Sequence, residues 1–269
     1  MIDLDAYFER IGYEGPHDAS LSTLREIHRL QPQAIAFENL SPLLGHPVPL
    51  DAPSLHRKMV ADGRGGYCFE QNLLLASVLE ALGFKFRMLT GWPRWQVAPD
   101  RLLPRTHLLL LLDIDGEEWL ADVGFGGNTL TGPLRLRAEG GQETPHEPAR
   151  IVAEDGGFMI QVRIGGTWHD LVAFDLGRQP FAELEMGNWF TSTHPRSRFR
   201  NEIFAARSEP GCRYGLADNV LSTHRLGGKS EKQTLASVPE MREALTDVFR
   251  IRLPDDPALD AALARFAGA

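Results

Sequence analysis

Cysteine is scarce in this chain: Cys68 and Cys212 are the only two among 269 residues. That is far below the density of a disulfide-stapled scaffold, so a reduced pair of thiols is expected. Long apolar runs are also missing. The longest, Leu108 to Leu112, falls well short of the roughly 18 residues a spanning helix requires, so a helical membrane span is excluded. Positive charge is in deficit, with a formal net charge of −8 and no Lys/Arg cluster, and nucleic acid is not an expected partner. There is no CxxC, no HExxH and no histidine pair at ligand spacing, so no metal is expected. Neither a P-loop nor a GxGxxG after a strand occurs, which leaves ATP and NAD without motif support. The start, Met1-Ile-Asp-Leu-Asp-Ala-Tyr-Phe-Glu-Arg10, lacks the basic and apolar regions of a secretory signal, so a cytoplasmic location is expected. Internal repeats and low-complexity tracts are absent. What remains is an ordinary globular composition, 43% apolar and 24% charged, long enough for one large or two to three small lobes.

Periodicity divides the chain into three. Residues 1–83 read as helix: Leu4, Tyr7, Phe8 and Ile11 share one face, Ser20 precedes a second periodic stretch with Leu24, Ile27 and Leu30, and a third helix follows Pro53. Phe69 to Leu82 reads as a buried helix closed by Gly83. Residues 84–181 begin with short apolar runs separated by turn signals at Asp115-Gly116, Gly156-Gly157 and Gly165-Gly166, the pattern of an antiparallel sheet or small barrel. Within them, Ala138 to Pro148 is a polar Gly/Pro loop expected to be exposed. Residues 182–269 carry a connecting helix at Ala182 to Phe190, strand-like runs at Arg198 to Ala205 and Asn219 to Thr223, and helices near Pro239 to Arg250 and Pro257 to Phe266.

Chemistry concentrates in three segments. Arg64-Gly-Gly-Tyr-Cys68-Phe-Glu-Gln-Asn72 seats a thiol behind a glycine pair at the start of a helix, where the unsatisfied amides favour a thiolate. Thr106-His107 opens the leucine run, and Leu120-Ala-Asp122-Val-Gly-Phe-Gly-Gly127 follows it. If Asp115-Gly116 is a two-residue hairpin loop, Ile114 pairs with Glu117, Leu109 with Asp122 and His107 with Gly124. His107 and Asp122 then lie on one face as diagonal neighbours. A carboxylate between Ala121 and Val123 needs a partner, and His107 is the one the hairpin offers. Asp122 is expected to accept the Nδ1 proton of His107 and stabilise the imidazolium formed as Cys68 loses its proton. Cys212, in a turn with no acid–base partner in view, is expected to be inert.

Together these segments resemble the arylamine N-acetyltransferase family. Phe37-Glu38-Asn39-Leu40 and Asn188-Trp-Phe-Thr-Ser-Thr-His-Pro195 add to the likeness, which covers about the first three quarters of the chain. The resemblance implies an α+β fold: an N-terminal helical bundle, a central antiparallel β-barrel and a C-terminal α/β lid around a papain-like or transglutaminase-like cysteine core. It implies a Cys68-His107-Asp122 triad that moves an acetyl group from acetyl-CoA to an aromatic amine or hydrazine by a ping-pong route. Phe37 and Phe125 would form the acceptor slot, Gly126 and Thr106 would contact the donor, and Arg64 would pair with Glu38 to brace the loop. Acetyl-CoA would be a cosubstrate, with no permanently bound cofactor. The same triad also serves cysteine hydrolases, amidases and amide-forming acyltransferases.

Overall fold

The computed structural model describes residues 2–98, 100–101, 103–154 and 156–268. Helix α1 (Leu4–Ile11) starts on Asp3, whose side chain accepts the Ala6 amide, and turns out at Gly12, where φ is 70°. Helix α2 (Leu21–Ala34) is capped by Ser20, as the sequence implies. The two-residue strand β1 (Phe37–Glu38), α3 (Leu40–Leu44) and α4 (Ala52–His56) follow, α4 running into a π-helical turn, Arg57–Ala61. Helix α5 (Cys68–Ala81) begins on Cys68 itself, and eleven of its fourteen residues are buried. Polar side chains hold its start in place. The Tyr7 hydroxyl donates to Gln31 at 2.7 Å, Gln31 donates to Gln71 at 2.9 Å, and Gln71 donates to the Ala36 carbonyl at 2.9 Å.

Among the described residues the strands form two antiparallel sheets. The larger contains β2 (Lys85–Pro93), β3 (His107–Ile114), β4 (Glu117–Ala121), β5 (Leu134–Arg135), β6 (Ala149–Glu154), β7 (Gly157–Ile164) and β8 (Thr167–Phe174), ordered β5-β4-β3-β2-β8-β7-β6. Its edge strands β5 and β6 lie in contact, so the sheet is nearly closed. The hairpin register is the expected one, with Ile114 opposite Glu117 and Leu110 opposite Ala121. Beyond Ala121 the ladder stops. His107 pairs instead with Gly91 on β2, and the Gly124 amide turns to the Asp122 carboxylate at 2.9 Å. The leucine run is unbroken because both faces of β3 are buried: Leu108, Leu110 and Leu112 join the helical core around α5, while Leu109 and Leu111 join the core inside the sheet.

Helix α6 (Phe181–Thr193) is longer than the sequence suggests. The run from Arg198 is not strand at first: α7 (Arg198–Asn201) is capped by Ser197, and β9 starts only at Phe204. The second sheet is ordered β1-β9-β10-β11-β12, with β9 (Phe204–Glu209), β10 (Cys212–Ala217), β11 (Val220–Arg225) and β12 (Ser230–Thr234). It packs with α8 (Val238–Glu243) and α9 (Leu259–Ala264) around a third core that includes Leu216, Met241, Phe249 and Leu263. The polar loop at 138–148 is not wholly exposed. His146 is buried, and its Nε2 donates to the carbonyls of Glu209 and Cys212 at 2.8 and 3.1 Å, fastening the loop to the second sheet. Cys212 opens β10 as a buried free thiol rather than sitting in a turn.

The glycine pair before Cys68 is explained by close approach rather than by a left-handed turn. A Cβ on Gly65 would lie 2.1 Å from the Ala36 carbonyl oxygen, and one on Gly66 would lie 2.8 Å from Glu70 Cβ. Arg64 reaches Glu38 as expected, its Nη2 2.8 Å from Oε1. Glu38 is fully buried, and burial works against its charge. The Arg64 and Lys58 cations outweigh burial and hold its carboxyl below the usual range. Arg64→Met therefore strands a buried carboxylate, at a cost of about 3 to 5 kcal/mol. The expected result is a fall in melting temperature of about 10 °C, read by thermal unfolding; a fall within about 2 °C would refute this account of the pair.

Candidate active site

Cys68, His107 and Asp122 meet where the start of α5 faces the beginning of β3 and the end of β4. All three are buried. Cys68 occupies the first helical position, and its Sγ donates to the Thr106 carbonyl at 3.3 Å. The Cys68 side chain is also close enough to the His107 ring to help raise its pKa. His107 Nε2 is 2.7 Å from Asp122 Oδ2. This corrects the expected ring orientation: the carboxylate takes Nε2, and Nδ1 is the nitrogen it leaves unengaged. The reason is local. β4 ends one residue before Asp122, so the carboxylate approaches the ring from its far edge instead of across a regular strand pair.

Both carboxylate oxygens are engaged. Oδ1 accepts from Asn72 Nδ2 and from the Gly124 amide, both at 2.9 Å. Asn72 also donates to the Leu108 carbonyl at 2.8 Å and accepts the Val123 amide at 3.0 Å, tying α5 to both strands. Burial alone would raise the Asp122 pKa, but His107, Asn72 and the Gly124 amide together hold it below the usual carboxylate range. Burial likewise opposes charge on His107, yet Asp122 and the hydrogen bonds to Asp122 and Cys68 raise its pKa to about 10. The imidazolium is therefore the stable form throughout the neutral range and is lost only as pH rises toward that value.

Phe125 packs edge-on against His107, ring centroids 5.3 Å apart. Phe37 lies beside Gly126, whose added Cβ would meet its ring at 3.6 Å; Gly126 has φ of 87°. The two line a small cavity of about 10 Å³, room for about one water. Thr106 contributes its carbonyl to the thiol, as noted. Sequence reasoning passed over several residues. Asn72 carried a usable signal: it is four residues after Cys68 on the same helical face, a polar side chain in an apolar helix that needs a partner. Phe199, 6.1 Å from Phe37 and 5.4 Å from Tyr67 between ring centroids, and His28 on α2 carried none, because only the tertiary fold brings them in. Glu70, two residues after Cys68, accepts the Tyr67 amide at 3.1 Å and pairs with Lys58 at 2.6 Å.

Among the described residues no group of three or more His, Cys, Asp or Glu is placed to hold a metal ion, and no helix is long and apolar enough to cross a membrane.

The sequence pattern of the N-acetyltransferase family matches residues 20–258. With the α+β architecture above, it places the chain among the N-acetyltransferases. The chain is 39% identical to an arylamine N-acetyltransferase of Mycobacterium tuberculosis, over 100% of this chain and 98% of that protein. It is 38% identical to the arylamine N-acetyltransferase / N-hydroxyarylamine O-acetyltransferase of Salmonella typhimurium, over 94% of this chain and 90% of that one. Among solved structures, the M. tuberculosis arylamine N-acetyltransferase superposes with a TM-score of 0.93 at 39% identity, covering 97% of this chain and 99% of that chain. The Mycobacterium marinum arylamine N-acetyltransferase in complex with CoA gives 0.94 at 38% identity, covering 98% and 100%. The chain belongs to the arylamine N-acetyltransferase family.

Proposed function

We propose that the protein transfers an acetyl group from acetyl-CoA to an aromatic amine or hydrazine through a thioester on Cys68, with His107 as acid and base and Asp122 as its orienting carboxylate. The observation that carries this reading is the His107 Nε2 to Asp122 Oδ2 contact of 2.7 Å, beside a thiol at the start of a helix. Asp122 stabilises the imidazolium, and the helix amides stabilise the thiolate.

In the first half-reaction the Cys68 thiolate attacks the thioester carbonyl carbon. The carbon–sulfur bond to CoA breaks, the imidazolium proton goes to the departing sulfur, and acetyl-Cys68 and neutral His107 remain. In the second, the amine nitrogen attacks the acetyl carbon, His107 takes the amine proton, and the Cys68 thiolate leaves. The resting ion pair is regenerated. An aromatic amine suits this cycle because it is unprotonated at neutral pH and has one proton to give up as the amide forms. In this reading Phe37 and Phe125 flank such a ring, and Gly126 and Thr106 contact the donor.

The test is the intact mass of the protein after mixing with acetyl-CoA in the absence of acceptor, followed by peptide mapping and addition of an aromatic hydrazine. The expected result is one acetyl group on Cys68 that leaves as acetylated hydrazine. An adduct on another residue, or acetate released at a rate indifferent to the amine, would overturn the proposal, the latter in favour of a hydrolase.

A further inference from the structure

Asp122 has a second histidine on its other side. His28, fully buried on α2, places Nε2 3.1 Å from the Asp122 backbone amide, which donates to it. That amide is the first one beyond the end of β4, and both ladders of the strand stop before it, the one with β3 at Ala121 and the one with β5 at Leu120. An N–H group can donate only to a ring nitrogen that carries no proton. The contact therefore dictates the state of the ring: neutral, with its single proton on Nδ1.

We propose that His28 is a positioning residue for acetyl transfer, a neutral Nδ1–H imidazole whose Nε2 takes the place of the missing strand partner and fixes the peptide that presents Asp122 to His107. Asp122 thus stands between two histidines in opposite states. His107 donates to its carboxylate and is cationic, whereas His28 accepts from its amide and is neutral.

Two observations bear on the cost of this state: Nδ1 is buried with no hydrogen-bond partner among the described residues, and the ring lies in a dehydrated setting that disfavours its charge. Burial pushes the His28 pKa down to about 4 against the pull of the Asp122 carboxylate, the charged group that acts on it. On its own helix the next turn presents Gln31, which is occupied by Tyr7 and Gln71. From β9, which packs on α2, Arg207 turns to the carbonyls of Gln33 and Val248, away from any role as a neutralising partner. Fixing the amide matters because Asp122 must meet Nε2 of His107 with one oxygen while the other takes Asn72 and Gly124. A peptide free to rotate would break that division.

The inference rests on Asp122 being the triad carboxylate. Its first test does not, because the ring nitrogens of the folded wild-type protein can be read directly by long-range ¹H–¹⁵N correlation. Between about pH 5.5 and 8, His28 is expected to keep an unprotonated Nε2 and a protonated Nδ1 without titrating. An Nε2–H tautomer, or titration at the ordinary histidine value, would overturn the proposal.

The second test is the pH profile of Cys68 alkylation by iodoacetamide in His28→Gln and His28→Leu. Glutamine offers an acceptor oxygen at a similar reach, so its rate is expected to stay within about threefold of wild type. Leucine fills the space without an acceptor, and its rate at neutral pH is expected to fall about tenfold or more. Equal rates for the two variants would overturn the proposal. If the leucine variant does not fold, the tautomer spectrum and the glutamine profile still decide it. Alkylation requires no acyl donor, so failure here is distinguishable from failure of the transferase reading, which the acetyl-adduct experiment measures separately.

Discussion

Asp122→Asn is expected to lower kcat/KM for acetyl transfer by about 10³- to 10⁴-fold with little change in stability. The substitution keeps the shape of the side chain, so the argument turns on proton positions. Two donors, Asn72 Nδ2 and the Gly124 amide, converge on Oδ1 at 2.9 Å, and they require an oxygen there. The asparagine amide nitrogen is thereby directed at His107 Nε2. That ring nitrogen becomes an acceptor, the single proton of the neutral ring moves to Nδ1, and Nδ1 can no longer receive a proton from Cys68. The imidazolium also loses its counter-charge, although it is the carboxylate that raises His107 to about 10 despite burial. The measurement is steady-state transfer to an aromatic hydrazine together with Cys68 alkylation at pH 7, both of which should fall. Alkylation and transfer at wild-type rates would sink the assigned role of Asp122.

Gly124→Ala is expected to cost about 100-fold in turnover and about 1 to 3 kcal/mol in stability. A Cβ at this position would sit 2.8 Å from Cys68 Cα, 3.1 Å from the Cys68 carbonyl oxygen and 3.0 Å from Asn72 Nδ2. Two of the three obstacles belong to the backbone of the nucleophile, which has no rotamer to give. The segment after β4 must therefore move away from α5, carrying Asp122 with it and widening the gap across which His107 meets the thiol. A displacement of about 1 Å suffices for a loss of this size. Turnover and thermal unfolding measured on the same preparation separate the two components. A variant with intact turnover would mean that the strand end and helix start are not held at the distance the structure gives.

Much of the site was legible because it depends on local rules. The Asp115-Gly116 turn fixed the hairpin register as far as Ala121, and the glycine pair with the apolar stretch after it marked the helix that begins at Cys68. Extending that hairpin ladder brings His107 beside Asp122, although the ladder in fact ends at Ala121. The two side chains still meet, but through Nε2, because Asp122 lies just outside the regular strand. The C-terminal third was read less well. Arg198 to Asn201 carries strand-like residues, yet the cap offered by Ser197 and the Arg198–Glu202 pair at 2.6 Å favour a helical turn. His28 and Phe199 could not have been found, since each joins the site across contacts that no local spacing encodes.

The two-sided burial of β3 has a consequence for the order in which the protein is made. Helix α5 is buried on nearly every face, and one of those faces is closed by Leu108, Leu110 and Leu112. A short helix has little stability before it packs. It has nothing to pack against on that side until about 30 further residues have been synthesised, roughly 1.5 to 6 s at ordinary elongation rates of about 5 to 20 residues per second. The strand that completes its housing begins with His107. On the proposed mechanism, the emerging chain thus carries its thiol without a base and without a helix dipole to activate it, so that a thiol still exposed is also one not yet made reactive.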